Sequence, residues 1–181
     1  MPLTRNVLAV GVLLSLGAAP TLRAQAPAAN PADVATIPAL VRAFYEVISG
    51  PAGAPRDWRR DSTLYSEGAT FVAMDVKDGK PVYAILTAEE YRRKTNASFV
   101  KNGFFETEIG SRIERFGNVA QVRSVYETRR AASGPLDGRG VNYLTVFWDG
   151  TRWWITGAVW DDERPDNPLP PAWVGAFETV P

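Results

Sequence analysis

The side chains that could perform chemistry in this chain are carboxylates, tyrosines and hydroxyls, because its 181 residues include no histidine and no cysteine. The commonest general base, the commonest metal ligand and the thiol nucleophile are therefore missing. Disulfides are excluded as well, so the fold must be stabilised by a packed core. A hydrophobic content of 45% and six tryptophans are enough to build one.

The candidate site residues lie on predicted strands in the second half of the chain. Asn142 interrupts an aliphatic strand face, where a lone amide needs a hydrogen-bonding partner or a ligand. The predicted ligand-binding residues are Asn142, Ser111, Ser124, Tyr126 and Trp153. Asp161 and Tyr126 are the candidates for acid–base catalysis. The alternative is purely structural: Asn142 bonds the backbone, Asp161 caps the strand end and the hydroxyls pair across strands.

Other site types are not supported by the sequence. The acidic run 161–163 is a poor metal site, since consecutive strand residues point to opposite faces. No phosphate-binding loop, dinucleotide fingerprint or nucleophile elbow is present, so no cofactor and no metal are predicted. Twenty basic and 20 acidic residues are mixed along the chain, which argues against a nucleic-acid partner.

The first residues have the pattern of a secretory signal peptide. Arg5 precedes an apolar run that is shorter than the roughly 20 residues needed to span a bilayer, and small residues follow near Ala24. We therefore predict a signal peptide over 1–24, with cleavage after Ala24, a mobile leader over 25–35 and one domain over 36–181 with a proline-rich tail. The mature protein is expected to be secreted or periplasmic and to have no membrane segment.

Two helices and one hairpin are predicted in the first half of the domain. Apolar residues at helical spacing predict a helix over 37–48 that begins after Thr36 and ends before Gly50. Asp78-Gly79 joins two predicted strands, over 70–76 and 82–86. The capping-box pattern 87–90 begins a second helix that runs to about Lys101.

The third and fourth strands are predicted to form a hairpin around Gly117-Asn118. This register pairs Ile113 with Val122, Ser111 with Ser124, Ile109 with Tyr126 and Thr107 with Thr128. One face is then neutral, and the other is charged and carries Glu106 and Glu108, among other residues.

A last hairpin, over 141–148 and 151–160, is predicted to turn at Asp149-Gly150 and to pair Asn142 with Gly157. Both of its faces are apolar. A sheet covered by helices on one side has no reason to be aromatic on the other unless that side is also covered. Either a homodimer forms through the sheet or the proline-rich tail from Arg164, with Trp173, folds over it.

The order of these elements is that of the nuclear-transport-factor-2-like superfamily, and the chain resembles its SnoaL-like branch. The resemblance spans about 37–170. Its most telling segments are 113–120, 126–129, 140–142 and 160–165. It implies an α+β fold in which a curved antiparallel sheet forms a cone, with helices closing a pocket on its concave face, and frequent dimerisation through the sheet.

The resemblance does not extend to known catalytic residues. Ketosteroid isomerases of this superfamily use an aspartate base and a tyrosine donor, where this chain places Ala73 and Ala43. SnoaL-type cyclases use a pocket histidine. We therefore predict a non-enzymatic pocket protein that binds a small, largely apolar ligand. The alternatives are a lyase or isomerase using Asp161 or a pocket glutamate with Tyr126, and an association module whose pocket is filled by its own side chains.

Overall fold

The computed structural model of the chain describes residues 28–180, so the predicted signal peptide and its cleavage site lie outside the described residues. The helices are α1 Pro31–Val34, α2 Ile37–Ile48, α3 Trp58–Asp61, α4 Ala88–Asn102 and a short 3-10 helix Pro171–Trp173. The strands are β1 Tyr65–Lys77, β2 Lys80–Thr87, β3 Phe105–Phe116, β4 Val119–Arg129, β5 Leu136–Trp148, β6 Trp153–Asp162 and β7 Phe177–Val180.

The strands form one curved sheet in the order β2-β1-β6-β5-β4-β3-β7. The prediction of an α+β fold is confirmed. The sheet is mixed rather than purely antiparallel, because β1 runs parallel to β6 and β7 runs parallel to β3. In the described part of the chain, no helix has the length and apolar character required to cross a bilayer.

Helix α2 forms where the sequence predicts it and covers the concave face of the sheet. The Thr36 hydroxyl accepts a hydrogen bond of 3.2 Å from the Ala39 amide, and Pro38 occupies the first turn. Its apolar side, including Leu40 and Phe44, packs into the single main core beside strand residues such as Leu144. This packing places the hydroxyl of Tyr45, also on α2, beneath the sheet.

Helix α4 closes the wide end of the cone. Its capping box is present, with the Thr87 hydroxyl bonded to the Glu90 amide and the Glu90 carboxylate bonded to the Thr87 amide. Phe99 is buried in the core, and Tyr91 packs against the core's edge. Ala88 also packs against the core, and Arg92 binds the buried Asp61 carboxylate at 2.7 Å, so apolar contacts and this ion pair together anchor the helix.

The chain is structured earlier than predicted. The prediction of a mobile leader over 25–35 fails at helix α1, where Asn30 caps the first turn. The carboxylate of Asp33 is buried and accepts two hydrogen bonds of 2.8 Å from Arg60, which also binds Glu46 at 2.7 Å. A long-range ion pair, which has no signal in the local sequence, therefore holds this segment.

The predicted register of the β3–β4 hairpin is right near the turn and wrong beyond it. Ile113 pairs with Val122 and Ser111 pairs with Ser124, as expected. Ile109 then forms a β-bulge, so that Glu108 rather than Ile109 faces Tyr126. Similarly, Glu106 rather than Thr107 faces Thr128.

This bulge reverses which side chains of β3 face inward. One extra residue in a strand moves all subsequent side chains to the other face. Glu106 and Glu108, predicted on the charged face opposite to that of Tyr126, lie instead on the same concave face as Tyr126. The bulge is also where the C-terminal tail attaches, because the Ile109 carbonyl accepts a hydrogen bond of 2.7 Å from the Gly175 amide.

The β5–β6 hairpin has a longer turn than predicted. Trp148 pairs with Trp153, which leaves four residues, 149–152, in the connection. The Asp149 carboxylate stabilises this turn by accepting hydrogen bonds from the amides of Thr151 and Arg152.

A second irregularity follows at Thr156, between the pairs Val146–Ile155 and Thr145–Gly157. Asn142 therefore lies opposite Trp160, and the predicted pairing of Asn142 with Gly157 is wrong. The same shift places Asp162 rather than Asp161 on the concave face.

The C-terminal tail covers part of the outer face. The Trp173 ring lies 4.0 Å from the guanidinium carbon of Arg123 on β4, and β7 extends the sheet beyond β3. Farther along the outer face, Tyr143 and Val159 remain 47% and 44% exposed. The sequence analysis predicted that either a homodimer or the tail covers this face. The tail is present and covers one side of it.

Candidate functional site

A cavity of about 500 Å³ opens between helices α2 and α4 and the concave face of the sheet. It has an apolar wall and a polar end. The apolar wall consists of Phe44, Ile48, Tyr65, Phe71, Tyr91, Phe99, Phe104, Ala158 and Trp160. The polar end includes Glu106, Tyr126, Asn142 and Asp162. A cavity of this volume and composition is typical of small-molecule sites.

The apolar wall is built from aromatic rings that hold one another in place. Phe71 and Tyr91 meet edge to face with centroids 5.2 Å apart, and Tyr91 meets Trp160 similarly at 5.9 Å. Phe99 and Phe104 are stacked at 4.1 Å. Because these contacts join α4 to the sheet, they hold the walls of the cavity in fixed positions.

Asn142 is the centre of the polar end. Its side-chain nitrogen donates one hydrogen bond of 3.1 Å to the Glu106 carboxylate and another of 3.2 Å to the Tyr45 hydroxyl. The Ser124 hydroxyl donates to Glu108 at 2.6 Å, so Tyr45 must donate its own proton to Ser124 at 2.7 Å. The Asn142 amide and the Tyr45 hydroxyl thus have no proton left for a ligand.

Glu106 is the polar-end group with the most altered acidity. The residue is half-buried and lines the cavity beside Asn142, Tyr126 and Asp162. Burial raises its pKa to about 8, with a further contribution from the negative charge of Asp162, and the hydrogen bond from Asn142 opposes the rise. Glu108 has a raised pKa for the same first cause, burial, opposed by hydrogen bonds from Ser124 and Ser111.

Tyr126 and Asp162 form a second polar pair on the cavity wall. The Tyr126 hydroxyl donates to the Asp162 carboxylate at 2.5 Å, and burial followed by this bond raises the pKa of the phenol. Gly140 lies between them in the sheet, where an added Cβ would overlap the Tyr126 hydroxyl and lie 2.6 Å from the Asp161 carbonyl oxygen. Glycine at this position therefore makes the pair possible.

The opening of the cavity carries two ion pairs. Arg130 binds Asp137 at 2.6 Å, and Arg139 binds Glu163 at 2.8 Å. All four residues line the cavity. Both arginines are thus already paired with carboxylates. The remaining charged residues of the cavity lining are Glu106 and Asp162.

The structure brings together only some of the predicted site residues. Asn142 and Tyr126 line the cavity. Ser124 is fully buried and bonds Tyr45 and Glu108, neither of which lines the cavity. Ser111 lies beside a separate, smaller cavity of about 150 Å³ that also contains Val122.

Two further predicted residues, Trp153 and Asp161, also lie outside the cavity. Trp153 is buried in the core against Trp148, with the Arg115 guanidinium over its ring. Asp161 lies on the other face of β6, bound to Arg164 at 2.5 Å, and this pairing lowers its pKa. The register shift at Thr156 is the reason that Asp162 takes the inward position predicted for Asp161.

Glu106, Asp162 and Tyr45 are the site residues that the sequence analysis missed. The first two depend on the bulges at Ile109 and Thr156. One signal for the first bulge was available: Gly110 follows it, and a Cβ there would overlap the Trp173 carbonyl. Across residues 28–180, no three acidic side chains converge in the manner of a metal site.

Comparison with solved structures identifies the fold. The chain matches no protein-family model and no curated protein. A cystatin-like-fold protein of unknown function from Nostoc punctiforme aligns with 74% of this chain and 92% of its own, at 12% identity and a TM-score of 0.51. An NTF2-like protein of unknown function from Silicibacter pomeroyi aligns with 71% of this chain and 94% of its own, at 16% identity and a TM-score of 0.48.

The Nostoc punctiforme protein carries the fold assignment. The chain shares its cystatin-like fold, and the curved sheet with helices on one face agrees with what the resemblance to the nuclear-transport-factor-2-like superfamily implied. At such low identity the match concerns the fold alone, and the SnoaL-like branch remains a prediction. Function must therefore be argued from the site.

Proposed function

We propose that this protein binds a small, largely apolar molecule in the cavity between α2, α4 and the sheet. The observation that carries the proposal is the aromatic cavity of about 500 Å³ with polar groups at one end. A cavity of that size is not expected of the association module, whose pocket its own side chains would fill. The polar end would orient the ligand, since Asn142, Tyr126 and the two carboxyls are held by hydrogen bonds among themselves.

A thermal-shift screen against a metabolite library tests this proposal, because a ligand that binds only the native state raises Tm. The matched variants are Thr95→Trp, which places a ring into the cavity from α4, and Ser98→Trp, which adds the same ring on the exposed side of that helix. Ligands should be lost with Thr95→Trp and retained with Ser98→Trp. Equal loss, or no Tm shift with any compound, would count against the cavity as a binding site.

Glu106 favours a second candidate function, a lyase or isomerase. A carboxyl with a pKa of about 8 can hold or take up a proton near neutral pH, as an acid–base catalyst must. The Tyr126–Asp162 pair would act at the same wall, and Asp161, outside the cavity, would take no part. If a compound found by the screen is converted, Glu106→Gln should abolish turnover while leaving binding measurable. Unchanged turnover would exclude this function.

We further propose a homodimer through the outer face. The exposed Tyr143 and Val159, beside the region covered by Trp173, support it. Light scattering should give a dimer mass for the wild type and a monomer mass for Tyr143→Glu. Export is also a proposal, and mass spectrometry of the mature protein should find Gln25 at its N-terminus.

A further inference from the structure

The charged groups of the cavity are unevenly paired, and this bears on what it can bind. Both arginines that line the cavity are neutralised at its opening by Asp137 and Glu163. Glu106 and Asp162 also line the cavity, and within residues 28–180 neither carboxyl has a salt-bridge partner. The cavity lining therefore carries two carboxyls without a paired cation, Glu106, which is half-buried, and Asp162, which is more exposed.

We infer that this cavity selects organic cations, namely ammonium groups carried on an aromatic or alicyclic skeleton, over neutral and anionic molecules of the same shape. The inference rests on the proposed ligand-binding function and specifies its ligand class. Its basis is the juxtaposition of a wall of aromatic rings with two carboxyls that have hydrogen-bond partners but no salt-bridge partner.

The aromatic wall supports the same class of ligand. Tyr91 and Trp160 stand over the cavity beside Phe104, and the faces of such rings attract a cation through their negative electrostatic surface. A quaternary ammonium is only weakly hydrated, so its transfer into an aromatic site costs less than that of a compact ion. Carboxyl groups and aromatic rings together would then favour the cation at both ends of the cavity.

Apart from Arg42, the titratable groups that face Glu106 within residues 28–180 are acidic or neutral. Tyr45 faces it from α2, Tyr91 from α4, Tyr126 from β4 and Asp162 from β6. On its own strand, Glu108 is its neighbour on the same face. Arg42 lies near Glu106 at a separate opening, but its guanidinium is 3.7 Å from Glu46.

A bound cation would therefore place beside Glu106 a positive charge that no other carboxylate of the protein already pairs with. Such a charge lowers the pKa of a carboxyl, and Glu106 would release a proton as the ligand binds. Binding of a permanent cation should consequently strengthen as pH rises toward and past 8, whereas binding of a neutral analogue should not.

Calorimetric titration with three naphthalene probes tests the inference. The probes are (1-naphthylmethyl)trimethylammonium, the neutral N,N-dimethyl-1-naphthaleneacetamide and the anion 1-naphthaleneacetate; none of them titrates between pH 6 and 9. We expect the cation to bind most tightly, with an affinity that rises by about 10-fold to 100-fold between pH 6 and 9. Titrations in two buffers of different ionisation enthalpy should also reveal proton release on binding.

Three variants complete the experiment. Glu106→Gln should remove the pH dependence and the proton release for the cation and should lower the cation's affinity relative to that of the neutral probe. Asp162→Asn independently removes a second negative charge from the cavity lining and should weaken binding of the cation more than that of the neutral probe. Glu127→Gln is the control, because it removes a carboxylate that is paired with Arg129 outside the cavity lining. It should leave the affinities of all three probes unchanged.

The outcomes separate this inference from the proposed function. Binding of the neutral or anionic probe as tightly as the cation, without pH dependence, would overturn cation selection and leave ligand binding intact. Failure of all three probes together with an empty thermal-shift screen would overturn both.

Discussion

The side chains of Glu106 and Asn142 are joined by a hydrogen bond of 3.1 Å although they stand on β3 and β5, with β4 between them. Strands two places apart in a flat sheet are roughly 10 Å apart. The contact therefore depends on the curvature of the sheet and on the bulge that turns Glu106 inward. The hydrogen bond from Asn142 also opposes the rise in the pKa of Glu106, so the acidity of the site depends on this contact between distant strands.

The free energy of unfolding should depend on pH because of Glu106. Its folded pKa of about 8 lies above the ordinary value of 4.5, so the folded state holds a proton that the unfolded state releases between those pH values. This favourable contribution is complete below pH 4.5 and is lost as pH rises through 8. Glu106→Gln should therefore be more stable than the wild type by about 2 kcal/mol at pH 8.5, a figure reduced for the water that reaches the cavity, and less so at pH 5.

Urea denaturation at the two pH values measures the difference. Glu127→Gln serves as the control, because it removes a carboxylate that is ion-paired with Arg129. An advantage of Glu106→Gln that is the same at pH 5 and 8.5 would contradict the raised pKa.

Loss of the Asn142 amide should destabilise the fold. Asn142→Ala removes the donor to both the buried Tyr45 hydroxyl and the Glu106 carboxyl, and the expected cost in unfolding free energy is about 2 kcal/mol. Gln121→Ala removes an exposed amide that bonds Thr145 on the outer face, and it should cost less than about 0.5 kcal/mol. Equal urea midpoints for the two variants would show that the Asn142 bonds contribute nothing.

Two glycines on β5 provide a test of the Tyr126–Asp162 pair. Gly140→Ala should lower stability by about 2 kcal/mol or more, since its Cβ meets the Tyr126 ring and the Asp161 carbonyl. Gly138→Ala places the same methyl group 3.4 Å from the Thr128 hydroxyl and should be nearly neutral. Thermal unfolding followed by circular dichroism compares them, and similar Tm values would mean that the pair tolerates displacement.

The ion pair between Asp33 and Arg60 should make the N-terminal helix sensitive to acid. The hydrogen bonds from Arg60 lower the pKa of Asp33 below 3.8, so its stabilising contribution is present above that value and is lost as pH falls through the folded pKa. Asp33→Ala should cost about 2 kcal/mol at pH 7 and progressively less in acid. Asp166→Ala, at a carboxylate that is 80% exposed, is the control, and a cost for Asp33→Ala that does not change with pH would argue against the pair.

The helices and turns could be predicted because their signals are local. Thr36 caps α2, and Thr87 and Glu90 form the capping box of α4, within four residues of the backbone amides they bind. The alternation of β3 and β4 also gave the correct pairing next to their turn. The resemblance to the superfamily then supplied the cone and its cavity.

The site could be predicted only in part because it depends on interactions distant in sequence. Asn142 and Tyr126 were found from their place on otherwise apolar or neutral strand faces. Ile109 looks like any apolar strand residue, and nothing near it in the sequence indicates that the tail will bind its carbonyl. An alternating pattern separates the two faces of a strand but does not show where a bulge exchanges them. Glu106 and Asp162 were therefore placed on the wrong face.

The bulge at Ile109 separates the attachment of the C-terminal tail from the acidity of the cavity. Ile109 is the one residue of β3 without a partner on β4, so its removal would leave Glu108 opposite Tyr126 and Glu106 opposite Thr128. Both carboxyls would keep their face, whereas the carbonyl that binds the Gly175 amide would be lost. Relatives that lack this residue should therefore keep an acidic cavity and differ in how their C-terminal segment is held.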